Sequence, residues 1–150
     1  MAEDRDDLLR HYHQMREELL AAIEGLTDDQ LSERTLDGWS VKDHLLHLSL
    51  WDEIRASEVS RISAGQESAW RMNSDQDATF SALGHEVRLD LSAQQAKWEL
   101  ASSRQRLMDA ISLARKPGLE PSRYGEAGLR STHEAQHTEW IKRWRQEKTW

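Results

Sequence analysis

Apolar side chains return every three or four positions along most of this chain, and that period commits it to helices. Leu8, Tyr12, Met15, Leu19, Ala22, Ile23 and Leu26 form one narrow stripe and predict a first helix over residues 4–25. Thr27, with Gln30 three positions on, has the pattern of a capping box on a short helical turn, and Asp37-Gly38 closes that connection. Ser40 with Asp43 repeats the pattern and predicts a second helix running to about Ala64. Ser92 with Gln95 opens a third, which carries Ala96, Leu100, Leu107 and Ile111 and stops at Lys116-Pro117-Gly118. The last helix, over residues 126–146, holds Leu129, His133, His137, Trp140 and Trp144 in one sector. Residues 65–91 keep no sustained period and read as a long connection with room for a short helix. The expected fold is all-α: an antiparallel four-helix bundle, up-down-up-down, with that long connection between helices two and three.

At 150 residues the chain suits one domain, residues 1–150, with a single core. Hydrophobic residues make up 37% of it and charged ones 31%, so the core is economical, and the seven tryptophans are expected to supply much of its apolar area. A net charge of −7, spread along the chain, leaves no broad cationic surface for a phosphate backbone, so nucleic acid is not an expected partner. The acidic start, Met1-Ala2-Glu3-Asp4-Arg5-Asp6-Asp7, does not read as a secretory signal, and no apolar run is long enough to span a bilayer. The absence of cysteine removes disulfides, thiolate metal sites and a cysteine nucleophile, and fits a cytoplasmic location. Any thiol chemistry would need a thiol from outside.

The chemistry is carried by histidine. His133 and His137, four residues apart on one helix, point the same way one turn apart, as two ligands of one ion must. Both sit at the centre of the apolar stripe, where something has to satisfy their polar atoms. In an up-down-up-down bundle helices two and four run parallel, and His47 and His133, each about seven residues beyond a predicted helix start, would lie level. His44 competes with His47, and periodicity slightly favours it, because it lies closer to Val41, Leu45 and Leu48. His11 and His13 point to opposite sides of helix one and read as solvated, while His85 lies in the aperiodic segment.

Gly38-Trp39-Ser40-Val41-Lys42-Asp43-His44-Leu45-Leu46-His47-Leu48-Ser49-Leu50-Trp51 resembles the signature of DinB/YfiT-like proteins, in which Trp-Ser opens helix two and a metal-binding histidine follows eight residues after the tryptophan. That position is His47. His133-Glu134-Ala135-Gln136-His137, followed by Trp140-Ile141-Lys142-Arg143-Trp144-Arg145, is similar to the family's second motif. The resemblance implies a four-helix bundle with zinc or nickel on His47, His133 and His137, and often a homodimer. It also implies activity as a thiol transferase or thiol-dependent isomerase using a low-molecular-weight thiol such as bacillithiol, mycothiol or glutathione.

Three neutral imidazoles leave an ion's charge undiminished and leave room for a water or thiol, whose pKa the ion lowers. A site open toward the amino ends of helices two and four would take its rim from the 26–39 and 115–125 connections, making Trp39, Arg123 and Tyr124 candidate contacts for a small-molecule substrate. Trp39 reads equally well as a hydrophobic staple before Ser40. Among nearby carboxylates, Asp43 explains itself as a cap partner, and Asp52 and Glu134 read as exposed. The alternatives are a non-catalytic stress-response or dimerisation bundle with a structural or absent metal, and a metal-activated hydrolase.

Overall fold

A computed structural model describes residues 1–35, 37–71 and 73–150; Leu36, in the 26–39 connection, and Met72, in the 65–91 connection, lie outside the described residues. The described chain is helical: α1 (Arg5–Ile23), α2 (Asp28–Ser32), α3 (Val41–Ser63), α4 (Ser74–Val87), α5 (Ala93–Leu113) and α6 (His133–Lys148), with two 3-10 turns after α5 at Lys116–Leu119 and Pro121–Arg123. The expected capping boxes form at Thr27, Ser40 and Ser92, each side chain accepting from the backbone three residues on while that residue's side chain accepts from the cap's own N–H. A fourth box, Asn73 with Gln76, starts α4 inside the segment expected to be mostly connection.

The last helix begins seven residues later than the sequence predicts, at His133. Its would-be first turn is held open by side chains from other helices. The Arg55 guanidinium donates to the carbonyls of Ala127 (2.6 Å) and Gly128 (3.0 Å), and the Tyr12 hydroxyl donates to that of Leu129. Gly128 also takes a left-handed φ of +66°. Carbonyls engaged this way are unavailable to helical N–H groups.

The four long helices form the expected bundle, with one change in the order of directions. Arg16 of α1 meets the Leu100 carbonyl of α5 while Tyr12 meets Arg104, so α1 and α5 are antiparallel. Asp52 pairs with Arg104, and farther along Ser63 accepts from the Arg115 N–H, so α3 and α5 run parallel. The connection containing α4 returns the chain between them. His44 faces His137 and His47 faces His133, so α3 and α6 run antiparallel, not parallel as an alternating order would have it.

One apolar cluster gathers Leu19, Ile23, Leu45, Leu48, Leu100, Ile141 and Trp144; a second gathers Leu8, Tyr12, Val59, Leu107, Ile111 and Leu129. Each fully buried side chain of this size contributes about 1.5–3 kcal/mol. Tryptophan supplies less of this than its number suggests. Trp51 and Trp144 are buried, whereas Trp98, Trp140 and Trp150 are exposed. Among the described residues no helix is long and apolar enough to cross a membrane.

Between the clusters, at one level on α1, α3, α5 and α6, lie four buried charges. Arg16 bonds Asp52 (3.0 Å) and Glu134 (2.9 Å), and Arg104 bonds the same two carboxylates (3.0 and 2.7 Å). Asp52 and Glu134, expected to be exposed, are instead the acceptors of a buried network that ties all four long helices together. Glu134 directly follows His133, so this network also anchors the start of α6, which has no side-chain cap of its own.

Candidate metal centre

His47 lies two turns into α3, His133 is the first residue of α6, and His137 follows one turn later. The depth match expected between His47 and His133 therefore does not exist. The rings meet because antiparallel α3 crosses the start of α6. Ring centroids are 5.1 Å apart for His47–His133, 5.2 Å for His47–His137 and 4.5 Å for His133–His137.

One nitrogen from each ring lies within 4.8 Å of the other two. The Nε2 atoms of His133 and His137 are 3.0 Å apart. Two nitrogens on one tetrahedral ion, each at about 2.0–2.1 Å from it, sit roughly 3.3 Å apart. The His133–His137 spacing is within a few tenths of an ångström of that value and the His47 nitrogen lies within 4.8 Å of both, so the residues present fit one divalent ion after small side-chain shifts.

The electrostatics suit the same role. Burial pushes the His137 imidazole down to about 2 and that of His47 down to about 4, with the neighbouring imidazoles adding to both. Burial also lowers His133, helped by the Arg55 charge. All three rings are thus neutral at neutral pH and keep a lone pair for an ion.

His44, the competitor on α3, supports the site from behind. The Asp37 carboxylate lies 3.1 Å from His44 Nε2, and His44 Nδ1 lies 2.7 Å from His137 Nδ1. A carboxylate accepts, so Nε2 of His44 carries the proton and its Nδ1 is bare; burial outweighs the Asp37 charge and keeps this ring neutral. The His137 Nδ1–H donates to that bare nitrogen. His137 is left with an unprotonated Nε2 on the side of His133, as a metal ligand requires.

Trp39 packs its ring 5.4 Å from His47 and 5.5 Å from His44, and stacks on His85 at 4.6 Å, so it walls the α3 side of the cluster. Arg123 and Tyr124 lie elsewhere. Arg123 is exposed and pairs with Glu120 at 3.2 Å, and the Tyr124 hydroxyl donates to the Gly118 carbonyl at 2.6 Å while its ring packs on the second apolar cluster. Neither side chain lines the cavity beside the histidines. Beside His47 and His133 there is instead a cavity of about 400 Å³ whose wall includes Trp51, Arg55, Asp77 of α4 and Glu126. Its rim comes from α4 and residues 126–131, rather than from 26–39 and 115–125.

A family model of the DinB superfamily matches residues 11–141, a span that includes all three histidines. The chain belongs to the DinB superfamily. Among solved structures, an uncharacterised protein from Escherichia coli UTI89 superposes with a TM-score of 0.80 over 97% of this chain and 94% of its own, at 13% identity, a likeness of fold. Comparison with curated proteins gives no match. Within this DinB bundle, sequence reasoning missed His44 and Asp37 as supports and Asp77 as part of the cavity wall. His44 had a signal in its better fit to the α3 stripe, and α4 had one in the Asn73–Gln76 pair.

Proposed function

We propose that His47, His133 and His137 hold one divalent ion, zinc or nickel, and that the protein is a metal-dependent enzyme moving a low-molecular-weight thiol onto an electrophilic small molecule. The observation that carries this reading is the convergence of three neutral imidazoles beside a cavity of about 400 Å³, within the size range of small-molecule sites. When bound, such an ion supplies a Lewis acid that lowers the pKa of a thiol and holds the thiolate as a nucleophile. In the overall reaction a carbon–sulfur bond forms, the bond from that carbon to its leaving group breaks, and the thiol proton departs with the leaving group. The chain's own residues then have three tasks. The histidines orient the ion, the Asp37–His44 pair fixes the tautomer of His137, and Trp39, Trp51 and α4 restrict access of water. Lacking cysteine, the chain must take its thiol from solution.

Two measurements test this. Metal content of the purified protein should fall to background in the triple His47→Ala, His133→Ala, His137→Ala variant. Electrophiles screened with cysteine-derived and sugar-linked thiols should then turn over only with metal-loaded wild type. Retained ion in the triple variant would remove the site, and turnover indifferent to metal would remove the mechanism. A homodimer covering the exposed Leu20, Trp98 and Leu113 of α1 and α5 belongs to the same proposal, with sedimentation as its check.

A further inference from the structure

Asp77 sits on α4 in the wall of the cavity that contains His47 and His133. One of its carboxylate oxygens, Oδ1, is buried and has no hydrogen-bond donor among the described residues. Burying an unpaired carboxylate oxygen is unfavourable, and the first turn of α4, whose N-terminal dipole favours the Asp77 charge, supplies no hydrogen-bond donor to that oxygen. Asp77 is not needed to start α4, since Asn73 and Gln76 already form the capping box. Nor does the nearby cation answer it. Arg55 lines the same cavity, but its Nε and one terminal nitrogen donate to the carbonyls of Ala127 and Gly128, and the other terminal nitrogen lies 4.0 Å from Asp52. The Asp77 carboxylate is also outside the set of donor atoms that fall within 4.8 Å of one another, so it is not a fourth ligand in this arrangement. Glu126 adds a second carboxylate to the wall.

The cavity lining thus carries two kinds of chemistry: the His47 and His133 imidazoles, which together with the adjoining His137 suit a cation-bound sulfur, and the carboxylates of Asp77 and Glu126, which suit a positively charged donor. We propose that Asp77 receives an ammonium group of the bound molecule, so that the site selects small aminothiols over neutral or anionic thiols. This rests on the thiol reading above and adds its specificity residue. An ammonium donating to Asp77 Oδ1 would satisfy the orphaned oxygen, and the thiolate of the same molecule would face the histidines.

The test uses cobalt(II)-loaded full-length protein titrated with cysteamine, 2-mercaptoethanol and 3-mercaptopropionate, which share a two-carbon thiol and differ in carrying an ammonium, a hydroxyl or a carboxylate. The readout is the sulfur-to-cobalt charge-transfer band. Wild type should bind cysteamine tightest and 3-mercaptopropionate weakest. In Asp77→Asn the preference for cysteamine over 2-mercaptoethanol should shrink about 10-fold, the worth of one charge-assisted hydrogen bond, with cobalt affinity unchanged. Asp77→Ser should behave the same way. Because the variants see the same three thiols, differences in thiol acidity cancel from the comparison. An identical preference in wild type and both variants would overturn the role of Asp77 and leave the thiol reading standing. If cobalt no longer binds to either variant, Asp77 serves the ion rather than an ammonium, and the proposal is overturned. If no thiol produces the band while cobalt is bound, the thiol reading itself falls, and this inference with it.

Discussion

His137 makes two ring contacts at once, Nδ1 toward His44 and Nε2 toward His133, and the first determines what the second can do. Removing the support should therefore weaken the site without deleting a ligand. His44→Ala is expected to lower zinc affinity about 10–100-fold, as loss of an outer hydrogen-bond partner does, and Asp37→Asn should act in the same direction. Competition with a chromophoric chelator measures both, and unchanged affinity in His44→Ala would show that the Asp37–His44–His137 chain is incidental. The half-buried His47 ring and the buried His137 ring also set a pH dependence for the metal-free protein. Their folded pKa values lie below the ordinary 6.5, so above 6.5 neither state binds the proton and stability is at its full value. As pH falls below 6.5 the unfolded chain takes up protons that the folded chain refuses, and stability is lost until the folded value is passed, about 4 for His47 and about 2 for His137. Each such imidazole contributes a slope of about 1.4 kcal/mol per pH unit. Between pH 7 and pH 5, urea unfolding of His47→Gln should show roughly 2 kcal/mol less loss than wild type, and equal losses would contradict the burial argument. At this scale the three histidines that the fold brings together were readable from the i, i+4 pair and, for His47, from the family resemblance carried by the Trp39–His47 spacing. The role of His44 was not, because a stripe tells which way a residue faces but not which atom of which partner it meets.

The elements were legible where their ends are made locally and illegible where another element makes them. Thr27, Ser40 and Ser92 announce their helices because both halves of each capping box lie within four residues. The start of α6 cannot be read that way, since Arg55 and Tyr12 reach in from α3 and α1 to hold residues 127–129 out of the helix. Residues 65–71 and 125–126 depend on one another in the same manner. The buried Glu58 accepts from Ser68 and from the Ala69 N–H, the Gly125 N–H donates to Ser68, and the Glu126 N–H donates to the Trp70 carbonyl at 2.9 Å. A Cβ at Gly125 would stand 2.1 Å from the Trp70 oxygen, so Gly125→Ala must push these two segments apart. Since residues 126–131 form part of the cavity rim, that variant should lose ligand binding more than it loses helix content, which circular dichroism and the cobalt titration together would show. The charged network on the four long helices gives a larger effect. Arg104→Leu leaves Asp52 and Glu134 buried with one guanidinium between them, and should cost about 3–5 kcal/mol in urea unfolding. A loss below about 1 kcal/mol would mean that water reaches the network.

At the scale of the whole molecule, the bundle followed from four amphipathic stripes, while the order of directions depended on something no stripe records: the span of the α4 connection. A short turn between α3 and α5 would force them antiparallel. The actual connection, residues 64–92, is long enough to carry the chain back and lets them run parallel, which leaves α6 to pack against α3 in the opposite sense. That arrangement puts the proposed metal ligands on two elements separated by most of the chain, His47 before α4 and α5, and His133 and His137 after them. An ion bound there joins the two ends of the fold, and the unfolded chain offers it no comparable site beyond the i, i+4 pair. Binding to the folded state alone stabilises it by about 4 kcal/mol when free ion is 1,000 times its dissociation constant. Zinc should therefore raise the thermal midpoint of wild type and protect α3 and α6 together from hydrogen exchange. His47→Ala keeps the pair on α6 but removes the link to α3, so zinc should then protect α6 alone and shift the midpoint far less. Equal shifts in wild type and His47→Ala would mean that the ion rests on the α6 pair and does not hold the bundle together.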